Sequence, residues 1–112
     1  MKLALLNTTI ATTDGTYEVE TIDDLCTARQ LVHSYVASCR GLDSAIGHES
    51  TAQIMTELLG EEIPVNRQQF AQQVGQQALV FKLKGRAPEG VILSTQEIEA
   101  IGYEFKIMTR KA

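Results

Sequence analysis

Apolar residues recur along this chain with two periods, and each switch between them marks an element. Leu3-Ala4-Leu5-Leu6, inside the stretch Lys2 to Asn7, is unbroken and suits a strand covered on both faces. After an Asp14-Gly15 turn, Tyr17, Val19 and Thr21 alternate with Glu18 and Glu20, which predicts a second, less buried strand. Thr21-Ile22-Asp23-Asp24 reads as a capping box, with the Asp24 carboxylate reaching back to the cap N–H. The helix it opens carries Leu25, Ala28, Leu31, Val32 and Tyr35 on one face and fades between Ser38 and Gly41.

The next segment predicts a short strand, Asp43 to Ile46, a sharp turn at Gly47, and a helix opening around His48 to Ser50. Ala52, Ile54, Met55, Leu58 and Leu59 give that helix its apolar face, and Gly60 is a natural C-terminal cap. Pro64 to Gln69 and Ala78 to Lys84 read as two strands of a hairpin, turning near Gln73 to Gln76 with Gly75 at the demanding dihedral. In the second of them Ala78 and Val80 face one way, and Leu79, Phe81 and Leu83 the other. Gly85 to Gly90 is a loop by its glycines and proline, and Val91 to Leu93 is short and apolar. Ser94-Thr95-Gln96-Glu97 is another capping box, opening a short helix that ends at Gly102. Tyr103, Phe105 and Ile107 alternate with Glu104 and Lys106 in a closing strand. The expected architecture is a single α/β (α+β) domain, a mixed sheet of about five strands flanked by about three helices. The first strand, the most uniformly apolar, is expected at the sheet centre.

Composition narrows the function. With 112 residues the chain can bury most of its apolar surface in one domain. A net charge of −4 and a pI near 5.1 argue against a general coat for duplex DNA or RNA, which needs a broad basic face. They leave room for a small anion held by a local cluster of donors. Cys26 and Cys39 have no CxxC companion, so a structural zinc or a disulfide framework is not expected. Two free thiols in a reducing cytoplasm is the preferred reading. No apolar run approaches the roughly 20 residues that span a bilayer, and the first run stops at Asn7, too short for a secretory core. A cytoplasmic protein with no membrane contact is the expectation.

Candidate chemistry centres on Ser44 to Thr51. A turn at Gly47 leading into a helix aims unpaired N–H groups and the positive end of the helix dipole at one place, a ready anion site, with the His48 imidazole at its mouth. His33, in mid-helix beside Val32, has no such setting. Arg86 and Glu89, in the loop Arg86-Ala87-Pro88-Glu89-Gly90, are a bidentate phosphate partner and a carboxylate able to orient or deprotonate a hydroxyl. Read alone they are better taken as two solvated charges of an exposed loop. Asn66-Arg67 is either a further phosphate contact or a surface pair, and Ser50 and Thr51 either face a ligand or cap the helix. No nucleophilic triad and no Gly-rich phosphate loop of known spacing is present. A lone His48-Glu49 pair makes no metal site, so neither metal nor cofactor is expected.

Taken together these residues resemble the small ring nucleases of archaeal viruses, phages and some bacteria that degrade cyclic tetra-adenylate, the second messenger of type III CRISPR defence. The resemblance rests on Leu5-Leu6-Asn7, Ser44 to Thr51, Pro64-Val65-Asn66-Arg67, Leu79-Val80-Phe81, Arg86 to Gly90 and Gly102-Tyr103-Glu104. Thr8 to Thr13 is its weakest part, and Gln72 to Gln77 lacks the acidic turn of the family. The resemblance implies a homodimer with the ring bound across its two-fold axis and a reaction that needs no metal. It makes His48, Arg86 and Glu89 catalytic and Arg67 a ligand contact. Asn7, Thr8, Thr9, Gly47, Ser50, Thr51 and Asn66 complete the expected binding set. Two other readings compete with it. A sponge that sequesters a cyclic nucleotide would bind tightly and leave it intact, and a small dimeric nucleic-acid-binding protein would retard duplex DNA in a salt-sensitive way.

Overall fold

Leu3–Leu6 forms strand β1, and all four of its side chains are buried. The computed structural model describes residues 2–7, 14–22, 24–68, 70–84 and 95–112. Along the chain β1 is followed by β2 (Tyr17–Ile22), α1 (Leu25–Ala37), β3 (Leu42–Ser44) and α2 (Glu49–Leu59), then β4 (Gln77–Leu83), α3 (Thr95–Ile101) and β5 (Tyr103–Arg110). The five strands make one mixed sheet in the order β2-β5-β4-β1-β3. β1 runs parallel to β3, with Leu5 opposite Ser44, and parallel to β4, with Leu6 opposite Val80. β5 is antiparallel to both β4 and β2. The expected α/β architecture, with a mixed sheet of five strands and three helices, is the one observed among the described residues.

Alternation along the strands divides the core in two. On one face Leu3, Leu5, Leu79, Phe81 and Phe105 meet α1 through Ala28, Val32 and Tyr35, α2 through Met55, Leu58 and Leu59, and α3 through Ile98. On the other, Ala4, Leu6, Ala78, Val80 and Met108 form a smaller cluster, with Tyr17, Ala45 and Phe70 packed against it. Each large side chain buried this way contributes about 1.5–3 kcal/mol against the chain entropy. The split of Ala78 and Val80 from Leu79, Phe81 and Leu83 is as the alternation predicts. Arg29 Nε donates to Leu58 O at 2.6 Å and His33 Nδ1 lies 2.9 Å from Glu61 Oε1, so α1 grips the C-terminal end of α2.

Four expectations are corrected. The hairpin between Pro64–Gln69 and Ala78–Lys84 does not form: the described residues 64–68 are not a strand, and β4 pairs with β1 and β5. Pro64 brings no N–H to a ladder, and Asn66 and Gln68 spend side-chain amides on β3 where a strand would use its backbone. β4, with Ala78 to Phe81 all buried, needs a neighbour on both sides and takes the middle of the sheet, which puts β1 one place off centre. Thr21 does not cap α1, because Thr21 and Ile22 stay in the ladder opposite Lys106 and Phe105. Asp24 is the cap instead, accepting from Cys26 N at 2.9 Å and from the Thr27 hydroxyl at 3.2 Å. The strand expected at Asp43 to Ile46 is Leu42–Ser44, because Ile46 N turns back to the Ser44 hydroxyl at 3.3 Å. α3 begins at Thr95, within the second expected capping box, whose capping residue Ser94 lies outside the described residues.

Candidate functional site

β1, β3 and β4 are parallel, so their C-terminal ends lie at one end of the sheet, where open α/β sheets place their crevices. Asn7 follows β1 there, and Ala45 to His48 carry the chain from β3 into α2. His48 is the N-cap of α2 in extended conformation (φ −124°, ψ 130°), and its side chain makes no capping hydrogen bond. Its carbonyl accepts from Ala52 N at 3.0 Å, the first bond of the helix. The imidazole is exposed and uncommitted to the cap, beside a helix end whose first-turn N–H groups have no i−4 carbonyl to bond. Ser50 and Thr51 lie within that first turn, and Glu49 supplies its one acidic side chain.

The strap of residues 64–68 builds the opposite wall. The Ser44 hydroxyl, buried, donates to Pro64 O at 2.6 Å, and Asn66 N donates to Ile46 O at 2.8 Å. Asn66 Nδ2 and Gln68 Nε2 both donate to Ser44 O, at 2.9 and 2.7 Å, and Gln68 also reaches Asp43 Oδ1 at 3.0 Å. With the strap fixed, Arg67 Nε donates to Gly47 O at 2.8 Å. That bond uses one of five guanidinium donors and sets the plane of the remaining four. Gly47 leaves room for the approach: a Cβ there would sit a slightly tight 3.3 Å from Arg67 Cγ.

Asn7, Ala45, Gly47, His48, Arg67 and Gln68 thereby line one pocket of about 370 Å³. It joins four of the sequence candidates, Asn7, Gly47, His48 and Arg67. Asn66 faces inward on Ser44 O, and its role in the described structure is to hold the strap. Gln68 was missed, because a glutamine in a polar run carries no signal until its carbonyl partners are known. Thr8, Thr9, Arg86 and Glu89 lie outside the described residues. Among the described residues no three His, Cys, Asp or Glu side chains cluster as a metal site, and both cysteines are free and exposed. Chemically, the pocket offers a fixed guanidinium, an imidazole and a helix N-terminus, the donor set of a phosphate site. No helix among the described residues is long and apolar enough to cross a membrane.

Comparison with known proteins finds relatives over almost the whole chain. The model of the STIV B116-like family matches residues 3–105. YddF of Bacillus subtilis (strain 168) is 37% identical over 112 residues, covering 98% of each chain. ORF117 of Acidianus two-tailed virus is 43% identical over 68 residues, 60% of this chain and 58% of that one. Protein 26 of Sulfolobus islandicus filamentous virus (isolate Iceland/Hveragerdi) is 41% identical over 70 residues, 59% of each. The solved structure of B116 of Sulfolobus turreted icosahedral virus has the same fold, with a TM-score of 0.81 over 97% of this chain and 99% of that one at 23% identity.

Proposed function

The chain belongs to the STIV B116-like family, with relatives in archaeal viruses and in a bacterium, and we propose that it is a ring nuclease that opens cyclic tetra-adenylate. The observation that carries this reading is the meeting of His48, Gly47, Arg67 and Asn7 in one pocket at the end of the parallel strands. The sequence resemblance supplies the ligand.

The substrate brings its own nucleophile. A ribose 2′-oxygen attacks the adjacent phosphorus, the bond from phosphorus to the 5′-oxygen breaks, and a 2′,3′-cyclic phosphate is left. The protein has three tasks: to hold the attacking and leaving oxygens in line, to stabilise charge on the phosphorane, and to move two protons. Arg67 and the start of α2 grip the phosphate, and Arg86 adds charge at the phosphorane. His48 gives the leaving 5′-oxygen its proton, and Glu89 orients or deprotonates the 2′-hydroxyl. Two copies related by a two-fold axis cut a four-fold ring on opposite sides, giving two linear di-adenylates. No step calls on a metal, and the reaction takes place in the cytoplasm, where it would switch off the defence signal.

The test is incubation with cyclic tetra-adenylate in excess EDTA, with products separated by chromatography. Linear di-adenylates with cyclic phosphate ends are expected. A ring bound but intact after hours makes the protein a sponge and refutes the enzyme. His48→Ala should slow cleavage by roughly 10²–10⁴-fold and leave binding in place. Cleavage at the parent rate would remove His48 from its role.

A further inference from the structure

Gln68 lines two depressions at once. One is the pocket above; the other, of about 470 Å³, is lined on the far side by Lys2, Asp43, Phe70, Gln73 and Gln76. Both open on the same side of the sheet, since Ala45 in the first wall and Phe70 in the second pack on one cluster, Ala4, Leu6, Ala78, Val80 and Met108. They follow β1 from Lys2 before its start to Asn7 after its end, about 16 Å for five steps of about 3.3 Å.

The halves differ in charge. Arg67, His48 and a helix N-terminus face the first, and none of the described residues in its lining is a carboxylate. In the second, Lys2 is offset by Asp43, and the rest is three glutamine amides, Phe70 and Ala71. A phosphate there would meet a carboxylate, whereas a neutral heteroaromatic ring would not. The frame is rigid: Gln76 Nε2 donates to Lys2 O at 3.2 Å and its Oε1 accepts from Gln73 N at 2.9 Å, while Gln68 is held by Asp43 and Ser44. Phe70 is half-buried, and the Gln73 side chain is exposed. An aromatic side chain stacks any base. An amide pairs with the N6 and N7 edge of adenine, and a carboxylate accepts from an exocyclic amine.

We infer that the second depression is the base subsite of the same ligand site, taking a purine with an exocyclic amine while the Arg67 side takes the phosphate. Phe70 supplies the stacking surface, Gln73 the adaptable amide and Asp43 the acceptor. Naming adenine rests on the ring-nuclease reading.

The test uses two uncleavable probes, 2′-O-methyl cyclic tetra-adenylate and its tetra-inosinate counterpart, which carries a carbonyl where adenine has its amine. Binding is measured by calorimetry, with melting temperatures as a check on folding. The parent is expected to favour the adenylate ring by about tenfold, the discrimination of one good base contact. Asp43→Asn keeps an oxygen for Gln68 and replaces the other acceptor by a donor, so it should erase or reverse that preference. Phe70→Leu should weaken both rings by about tenfold, and the exposed Gln73→Ala should weaken the adenylate ring more than the inosinate. Unchanged affinity and preference in all three variants overturns the subsite, whether or not the parent cuts cyclic tetra-adenylate. If the preference shifts as expected while the natural ring stays uncut, the subsite stands and the nuclease reading falls. If the parent binds neither ring, adenosine 5′-monophosphate becomes the probe, and its failure to bind overturns the subsite.

Discussion

Replacing Gly47 by alanine should separate grip on the ligand from stability of the fold. The added Cβ would stand 3.3 Å from Arg67 Cγ, 3.8 Å from its Nε and 4.0 Å from its Cδ. The first of these is a few tenths of an ångström too close, and what must yield is an exposed, flexible side chain. In giving way, Arg67 would stretch its 2.8 Å bond to Gly47 O and loosen the fixed plane of its guanidinium. The bond is exposed, so the fold loses about 1 kcal/mol or less. Gly47 is not among the glycines of positive φ, so alanine meets no backbone penalty and gains about 0.4–1 kcal/mol from a narrower unfolded ensemble. The two nearly cancel, and the melting temperature should stay within about 5 °C of the parent. Binding has no such offset. A charge-assisted hydrogen bond held in a preset direction is worth roughly 1.5–3 kcal/mol, so affinity for the uncleavable ring should fall about 10- to 150-fold. Calorimetry on Gly47→Ala, Arg67→Ala and the double variant checks the cause. If alanine acts only by displacing Arg67, the double variant binds no more weakly than Arg67→Ala alone. Full affinity in Gly47→Ala, or additive losses in the double variant, would refute the mechanism.

Three further outcomes test the frame that holds the site. Ser44→Ala strips part-buried Pro64 O and buried Ile46 N of their 2.6 and 3.3 Å partner, and should cost about 1–3 kcal/mol in urea unfolding; a loss under about 0.5 kcal/mol would mean that the strap is not held there. Gly60 caps α2 at φ +75°, and an added Cβ would meet only His33 Nε2 at an ordinary 3.8 Å. Gly60→Ala should therefore cost about 1–2 kcal/mol from backbone strain alone, with Gly60→Asn milder by thermal melting. Burial and the nearby Glu99 raise the Tyr103 hydroxyl above its ordinary range, while Arg29 acts the other way. The folded state therefore holds that proton more tightly than the unfolded one, and stability falls as pH rises past about 10. Melting curves between about pH 8 and 11 should show a smaller alkaline loss in Tyr103→Phe, and equal losses would contradict the assignment.

Elements carried by one repeated period were legible in the sequence. The apolar face of α2 could be read residue by residue, because Ala52, Ile54, Met55, Leu58 and Leu59 are spaced by the helix itself and all five are buried. The two faces of β4 followed for the same reason. Pairing was not legible at 64–68. Alternation there resembles a strand, and nothing local says that amide side chains will serve the edge of β3 in place of a backbone ladder. Thr21 misled in a similar way. Its motif fits a cap, but six ladder positions opposite β5 outweigh one capping bond. At the site, His48 and Gly47 were readable from the turn-to-helix pattern, whereas Gln68 and Asp43 gain meaning only from what they touch.

The strap explains why the pocket has the residues it has. β3 is a three-residue edge strand, and an open edge invites unwanted pairing. Covering it with another strand would bury alternate side chains and spend the backbone donors. Covering it with Asn66 and Gln68 amides ties down the Ser44 carbonyl and leaves the residue between them facing out. That residue is Arg67, delivered to Gly47 O beside His48. Because β4 runs parallel to β1, Lys84 and Asn7 then leave the sheet at the same end. Protection of the edge and placement of Arg67 beside His48 are one structural act. A substitution that breaks the strap, such as Ser44→Ala, should therefore weaken ligand binding along with the fold, whereas Gly47→Ala should weaken binding alone.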